Sequence, residues 1–229
     1  MYFDSTYILV LIGAVLSMIA SANVNGTYSR YSKVHSAYGM TADRCADMIL
    51  RNAGIYDVRI ERISGNLTDH YSPTEKVLRL SDTVYGSTSV AAIGVAAHEC
   101  GHAIQHDTGY APLSLRSASV PIANIGSKLS WPMILLGLML GFSGLAKAGV
   151  ILFSFVVFFQ LITLPVEFDA SARALKILGS SNVLYGDEMK GAKKVLTAAA
   201  LTYVAALASA ILQMLRLIML TQNGNRRRR

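Results

Sequence analysis

Residues 97–102 read Ala-His-Glu-Cys-Gly-His. They place two imidazoles and a carboxylate in an H-E-x-x-H arrangement. On a helix, His98 and His102 lie on one face about 6 Å apart along the axis, close enough for both to reach one Zn²⁺. Glu99 comes directly after the first histidine. It is turned too far round the helix to be a third ligand, yet it can reach a water beside the metal as a general base. The competing reading is a helix that happens to carry two solvated histidines, since five letters recur by accident.

The element that must position this motif is a helix over 88–107. Ser87 or Thr88 can act as N-cap, an apolar run succeeds it, and Gly109 sits where a C′ residue stops a helix. Val90, Ile93, Ala97, Gly101 and Ile104 share one stripe, and His98, Glu99 and His102 fall together beside it.

The surroundings of that helix are membrane-like. Of 229 residues, 52% are hydrophobic and only 15% charged, more apolar than soluble domains usually are. The net charge of +7 owes much to Arg226–Arg229, which either meets lipid head groups or is simply solvated. No aromatic-basic interleaving argues for nucleic acid. Cys45 and Cys100 have no ligand spacing, so a disulfide framework is excluded and any metal must rest on histidine and carboxylate. That donor set makes zinc the first expectation, although spacing alone does not separate it from Mn²⁺, Fe²⁺ or Co²⁺. Cys100 reads as a small packing residue.

In chain order, residues 5–22 form an apolar stretch just long enough to span a bilayer. A cleaved signal peptide competes with this, but Met1–Thr6 carries Asp4 and no basic residue, which favours a retained anchor. Residues 23–112 have the character of a small α+β domain. A helix opens at Thr41-Ala42-Asp43 and closes at Gly54, a strand covers Val58 to Ile63, a second covers Lys76 to Leu80 with imperfect alternation, and the motif helix comes next.

Residues 113–130 read as a linking or interfacial helix. Residues 131–166 read as a transmembrane hairpin, a re-entrant pair being the alternative. Residues 167–194 form a polar segment whose helix Pro165 can start at its first turn, 195–220 the longest apolar span, and 221–229 a basic tail. Ala198, Thr202, Ala206 and Ala210 recur every fourth residue as a small-residue stripe, and Arg216 can snorkel. The fold expected is mainly α-helical and integral to the membrane, with about four transmembrane helices.

The segments AHECGHAIQH at 97–106, VEFDASARAL at 166–175, KVLRLS at 76–81 and AAALTYVAA at 198–206 together resemble the YugP-like family of membrane zinc metallopeptidases, similar in plan to the HtpX and CAAX prenyl protease group. The resemblance covers nearly the whole chain. It implies a small gluzincin-like domain carrying the HExxH helix, with a glutamate on a later helix as third ligand. It also implies peptide hydrolysis beside the membrane and an extended strand lying along the cleft beside the substrate backbone, a place held here by Asp69-His70-Tyr71 and the strand after them.

Within that plan Glu167 is the expected third ligand. A catalytic zinc needs three protein ligands and an open position, and His106 stands about 12 Å along the helix from His98, too far to share an ion. Helical spacing puts Ser171 on the face of Glu167. It turns Asp169 about 200° away, where Arg173 at i+4 meets it as a local ion pair. The HtpX group carries an aspartate where this chain has Ser171, so support for a ligand histidine is left open. His106 reads as supporting a ligand, facing substrate or merely solvated. His70, Tyr71, Arg173 and Tyr203 are unranked candidates for stabilising an oxyanion, His70 reading more readily as a surface histidine, and His35 has no case.

The function expected is a zinc endopeptidase acting on a membrane or membrane-proximal protein or peptide, with Glu99 as base. A non-catalytic metal-binding adaptor or transporter is disfavoured by Glu99, which a passive site does not need. A site-2-type intramembrane protease would need the motif inside a spanning helix, and only eight apolar residues, Val90–Ala97, precede it. Partners expected are the substrate and the bilayer, a membrane-protein partner or second copy being left open. By Lys/Arg bias the catalytic domain faces the cytoplasm of a bacterial-type cell membrane, with both termini outside. Arg30 and Lys33, Arg116 and Lys128, and Arg173 and Lys176 agree with this side, and the terminal arginines do not.

Overall fold

The computed structural model describes residues 5–226, and side chains as far as residue 222. Asp4, on which part of the anchor argument rests, and Arg227–Arg229 of the basic tail lie outside the described residues. Among the described residues, four helices are long and apolar enough to cross a membrane: α1 (Tyr7–Tyr31), α4 (Ala111–Leu140), α5 (Ser143–Ser180) and α6 (Gly186–Arg226). Between α1 and α4 come helix α2 (Ala42–Asn52), strands β1 (Arg59–Ile63), β2 (His70–Ser72) and β3 (Val77–Ser81), and helix α3 (Val90–Asp107). The protein is thus mostly helical with one small sheet. The described chain divides into two compact units, one from residues 5–20, 115–164 and 202–226, the other from 21–114 and 165–201.

The second unit holds the sheet and the motif. In α2, Cys45, Ala46, Ile49 and Leu50 form a buried stripe, and the Cys100 thiol of α3 packs against it, 3.6 Å from the Ala46 carbonyl. Burial pushes the Cys100 thiol well above its usual pKa and that of Cys45 up to about 12, so both act as small packing groups. The strands run in the order β1-β3-β2, with β1 parallel and β2 antiparallel to β3. Central β3 buries Val77, Leu78, Leu80 and Ser81. Because it is covered on both faces, its sequence does not alternate cleanly. β2 is too short to show a period of its own. The Asp69 carboxylate pins its start by accepting from Ser81 N at 2.7 Å and Ser81 Oγ at 2.9 Å.

α3 is capped by Ser89, whose Oγ accepts from Ala92 N at 3.2 Å. The cap is therefore neither Ser87 nor Thr88. Ser87 instead donates to the Ser89 hydroxyl.

Several expected boundaries are absent. Residues 113–130 are not a separate linking helix, because α4 runs through them and on to Leu140 despite Pro121 and Pro132. Likewise Pro165 does not start a helix: it lies inside α5, which carries the chain unbroken from the apolar stretch into the polar one. A proline inside a membrane helix is tolerated where packing and neighbouring groups satisfy the freed carbonyl, so the local breaker rule is overridden. Nor does the N-terminal helix end near Ala22. It continues to Tyr31 because Tyr28 is buried in the second unit's core and bonds Thr83.

In the first unit, α4 turns into α5 through Gly141, at φ 74°, and Phe142. The two helices approach so closely that a Cβ on Gly137 would lie 2.5 Å from Ala146 N, the small-residue packing of membrane helices. α1 and α6 meet at Ser209, whose hydroxyl donates to Gly13 O at 2.9 Å and lies 3.1 Å from Ser17 Oγ. This contact falls one residue before Ala210, the last member of the small-residue stripe. Arg216 lies near the C-terminal end of the 195–220 apolar stretch, packed against protein. It is 6% exposed, with its guanidinium 4.1 Å from the Tyr7 ring and 5.3 Å from the Trp131 ring.

Candidate metal centre

The motif helix and the polar half of α5 meet at Gly101. A Cβ there would stand 2.5 Å from the carbonyl oxygen of Ala170, so only glycine lets the two backbones come this close. The approach brings Glu167, one turn before Ala170 on α5, to the histidines. Glu167 Oε2 is 3.2 Å from His98 Nε2 and 3.6 Å from His102 Nε2, and one donor atom from each of the three lies within 4.8 Å of the others. Four donors arranged tetrahedrally at zinc distances are about 3.3 Å apart, so the set fits that ion. Glu167 is 2% exposed and its two partners lie in the intermediate range, which leaves a partly open side to the cluster.

The outward nitrogens of both rings are held. His102 Nδ1 lies 3.0 Å from Gln105 Oε1. The Gln105 amide cannot be turned round, because its Nε2 donates to Val166 O at 2.8 Å and to Asp169 Oδ2 at 2.9 Å. Oε1 therefore accepts, His102 carries its proton on Nδ1, and the Nε2 lone pair faces the cluster. His98 Nδ1 is 3.1 Å from Ser171 Oγ, so a serine hydroxyl occupies the place left open in the sequence. Asp169 does bind Arg173 at 2.5 Å, and Arg173 also lies over the Tyr110 ring. The aspartate is more than a local ion pair, however, since through Gln105 it braces His102. Sequence reasoning misses Gln105. Its one visible sign is a glutamine in the motif helix three residues after the second histidine, and it is fully buried.

The pocket's electrostatics favour a cation. Burial alone would lower the pKa of His102, but the Glu167 carboxylate beside its ring and the charge of Glu99 outweigh that and raise it. Glu99 lies beside the cluster, 8% exposed, with its Oε2 accepting from Tyr71 N at 3.0 Å. The backbone of β2 thus fixes the carboxylate next to the cluster.

Tyr71 also reaches His106, its hydroxyl 2.9 Å from Nδ1. Burial, reinforced by Asp57 and Asp107, pushes the Tyr71 pKa up to about 12. His106 therefore joins the strand to the helix and stands outside the cluster. His70 turns to the sheet, Nδ1 2.9 Å from Thr68 O and Nε2 3.5 Å from Arg79. His35 bonds Thr88. Tyr203 belongs to the other compact unit.

Comparison with known proteins adds a family. The profile described as "Putative neutral zinc metallopeptidase" matches residues 6–222. The chain is also 46% identical over 219 residues to a Bacillus subtilis (strain 168) protein described as "Putative membrane protease YugP", a match covering 95% of this chain and 97% of that protein. No solved structure matches significantly.

Proposed function

Because the chain belongs to the family described as "Putative neutral zinc metallopeptidase", we propose that it is a membrane-embedded, gluzincin-type zinc endopeptidase that cuts extended segments of membrane or membrane-proximal proteins. The observation that carries this reading is the meeting of two Nε2 atoms and a buried carboxylate, with both Nδ1 atoms held from behind. His98, His102 and Glu167 hold the ion. Bound zinc supplies Lewis acidity, lowering the pKa of a water towards ~7 and polarising the scissile carbonyl. Glu99 takes the proton of the attacking water and returns it to the leaving amine nitrogen, its orientation fixed by Tyr71 N–H.

β2 is the last strand in the order β1-β3-β2, so an extended substrate adds beside it. A passive metal adaptor would have no use for a carboxylate tethered beside the ion. The motif helix α3 is not among the four apolar helices, which speaks against an intramembrane site-2 plan.

Profiling a peptide library with the purified protein tests the reading. Cleavage is expected to vanish on chelation and to return with zinc. Cleavage that survives complete metal removal would overturn it.

The side of the membrane is tested separately. We place the second unit in the cytoplasm, from the Lys/Arg bias around the spans. Ser64 is exposed and both native cysteines are buried. Ser64→Cys is therefore expected to react with an impermeant maleimide only after cells are opened, and labelling of intact cells would reverse the assignment.

A further inference from the structure

Away from the metal cluster, the second unit contains a cleft of about 760 Å³ between the C-terminal part of α1 and the N-terminal part of α6, within the roughly 300–1,000 Å³ typical of ligand sites. On α6, Lys190, Lys193, Lys194, Thr197, Ala198 and Leu201 fall on one face at i, i+3, i+4, i+7, i+8 and i+11. On α1, Ala22, Gly26 and Arg30 recur every fourth residue. The charges are segregated: four cations stand at one end, and the small residues Ala22, Gly26 and Ala198 with Leu201 form the apolar remainder. Gly26 deepens the floor, because a Cβ built there would meet nothing within 4 Å.

Lys190 is neutralised by Asp187 at 2.7 Å. Arg30, Lys193 and Lys194 are exposed, and none of them has a carboxylate within 4 Å among the described residues. Both helices are among the four able to span a membrane. On each of them the apolar end of the cleft lies towards the spanning stretch and the cationic end away from it. A ligand that fits must therefore carry an anionic head and an apolar tail pointing into the bilayer.

We propose that this cleft binds an anionic phospholipid, with its phosphate between Arg30, Lys193 and Lys194 and an acyl chain along Gly26 and Ala198. The seat lies against the motif helix: Ala192, one residue before Lys193, packs on Gly94 of α3, and Gly191 packs on Val90. An occupied cleft thus braces the α6 segment that supports α3. The proposal stands independently of any peptidase activity.

Native mass spectrometry of the full chain released from nanodiscs tests it. With phosphatidylglycerol in the disc, one retained lipid per chain is expected, and with phosphatidylcholine none. Two changes should each abolish retention by different means. Arg30→Gln/Lys193→Gln/Lys194→Gln removes the charge, and Gly26→Leu fills the floor while leaving every charge in place. The charge-matched control Arg44→Gln/Arg51→Gln/Arg59→Gln, at basic residues outside the cleft, should retain lipid as the wild type does. Excess glycerol phosphate should fail to displace the lipid, because it lacks the chain. Equal retention of phosphatidylcholine, retention by both cleft variants, or full displacement by glycerol phosphate would each overturn the assignment.

Discussion

Glu99→Gln is expected to leave zinc content and fold unchanged while reducing peptide hydrolysis by at least about 10²–10⁴-fold, the range supplied by a general base. Glutamine has the same shape, and its amide oxygen can still accept from Tyr71 N, so the bond that now holds Oε2 at 3.0 Å survives. What disappears is the ability to take up a proton. Glu99 is not one of the three converging donors, so the ion should stay. Elemental analysis paired with turnover of a peptide cut by the wild type measures both quantities. Equal rates in the two proteins would move the chemistry to another residue.

Glu167→Ala is expected to lose bound zinc and activity together. Glu167 is 2% exposed and supplies the only carboxylate of the cluster. Its removal leaves two imidazoles from a single helix, too few for a catalytic zinc site. Glu167→Gln, which keeps the volume but not the charge, should also bind zinc poorly, separating loss of a ligand from loss of packing. Asp169→Ala gives a contrasting outcome. It removes an acceptor of Gln105 Nε2 and the partner of Arg173, loosening the brace on His102. Its cost should be the roughly 10–100-fold in affinity typical of residues behind a ligand, with zinc still bound at saturation. Zinc analysis beside circular dichroism distinguishes these cases. Zinc loss in Asp169→Ala with full occupancy in Glu167→Ala would make Asp169 the ligand.

How much can be read from the sequence depends on the range of the interactions. His98, Glu99 and His102 are local to one helix, so their spacing suffices to predict their common face. Helical phase sets Glu167 and Asp169 on different faces wherever α5 begins, and the family resemblance singles out Glu167 as the expected ligand. That choice can be made although the helix start expected at Pro165 does not exist. Gln105 is hidden because its function depends on Val166 and Asp169, 61 and 64 positions away. β2 has no period of its own over three residues, so only the resemblance points to Asp69-His70-Tyr71 as extended chain, and the strand is held by Asp69 and β3 rather than by its own pattern. The prolines within α4 and α5 mislead for a related reason: a breaker's cost is local, whereas what outweighs it is tertiary.

The close approach at Gly101 changes what the motif spells. Written as His-Glu-any-any-His, it treats its two middle letters as blanks. In this chain both are specified by neighbours: Cys100 must be small and apolar to lie against Ala46, and the next letter must be glycine to clear Ala170. Those two positions bear on helices remote in the chain, one on the wall behind the motif and one on the helix that brings in the buried Glu167 carboxylate. The pentapeptide therefore encodes, beyond its pair of histidines, how near the helix with the missing carboxylate can come. A pattern that leaves those letters blank discards that information.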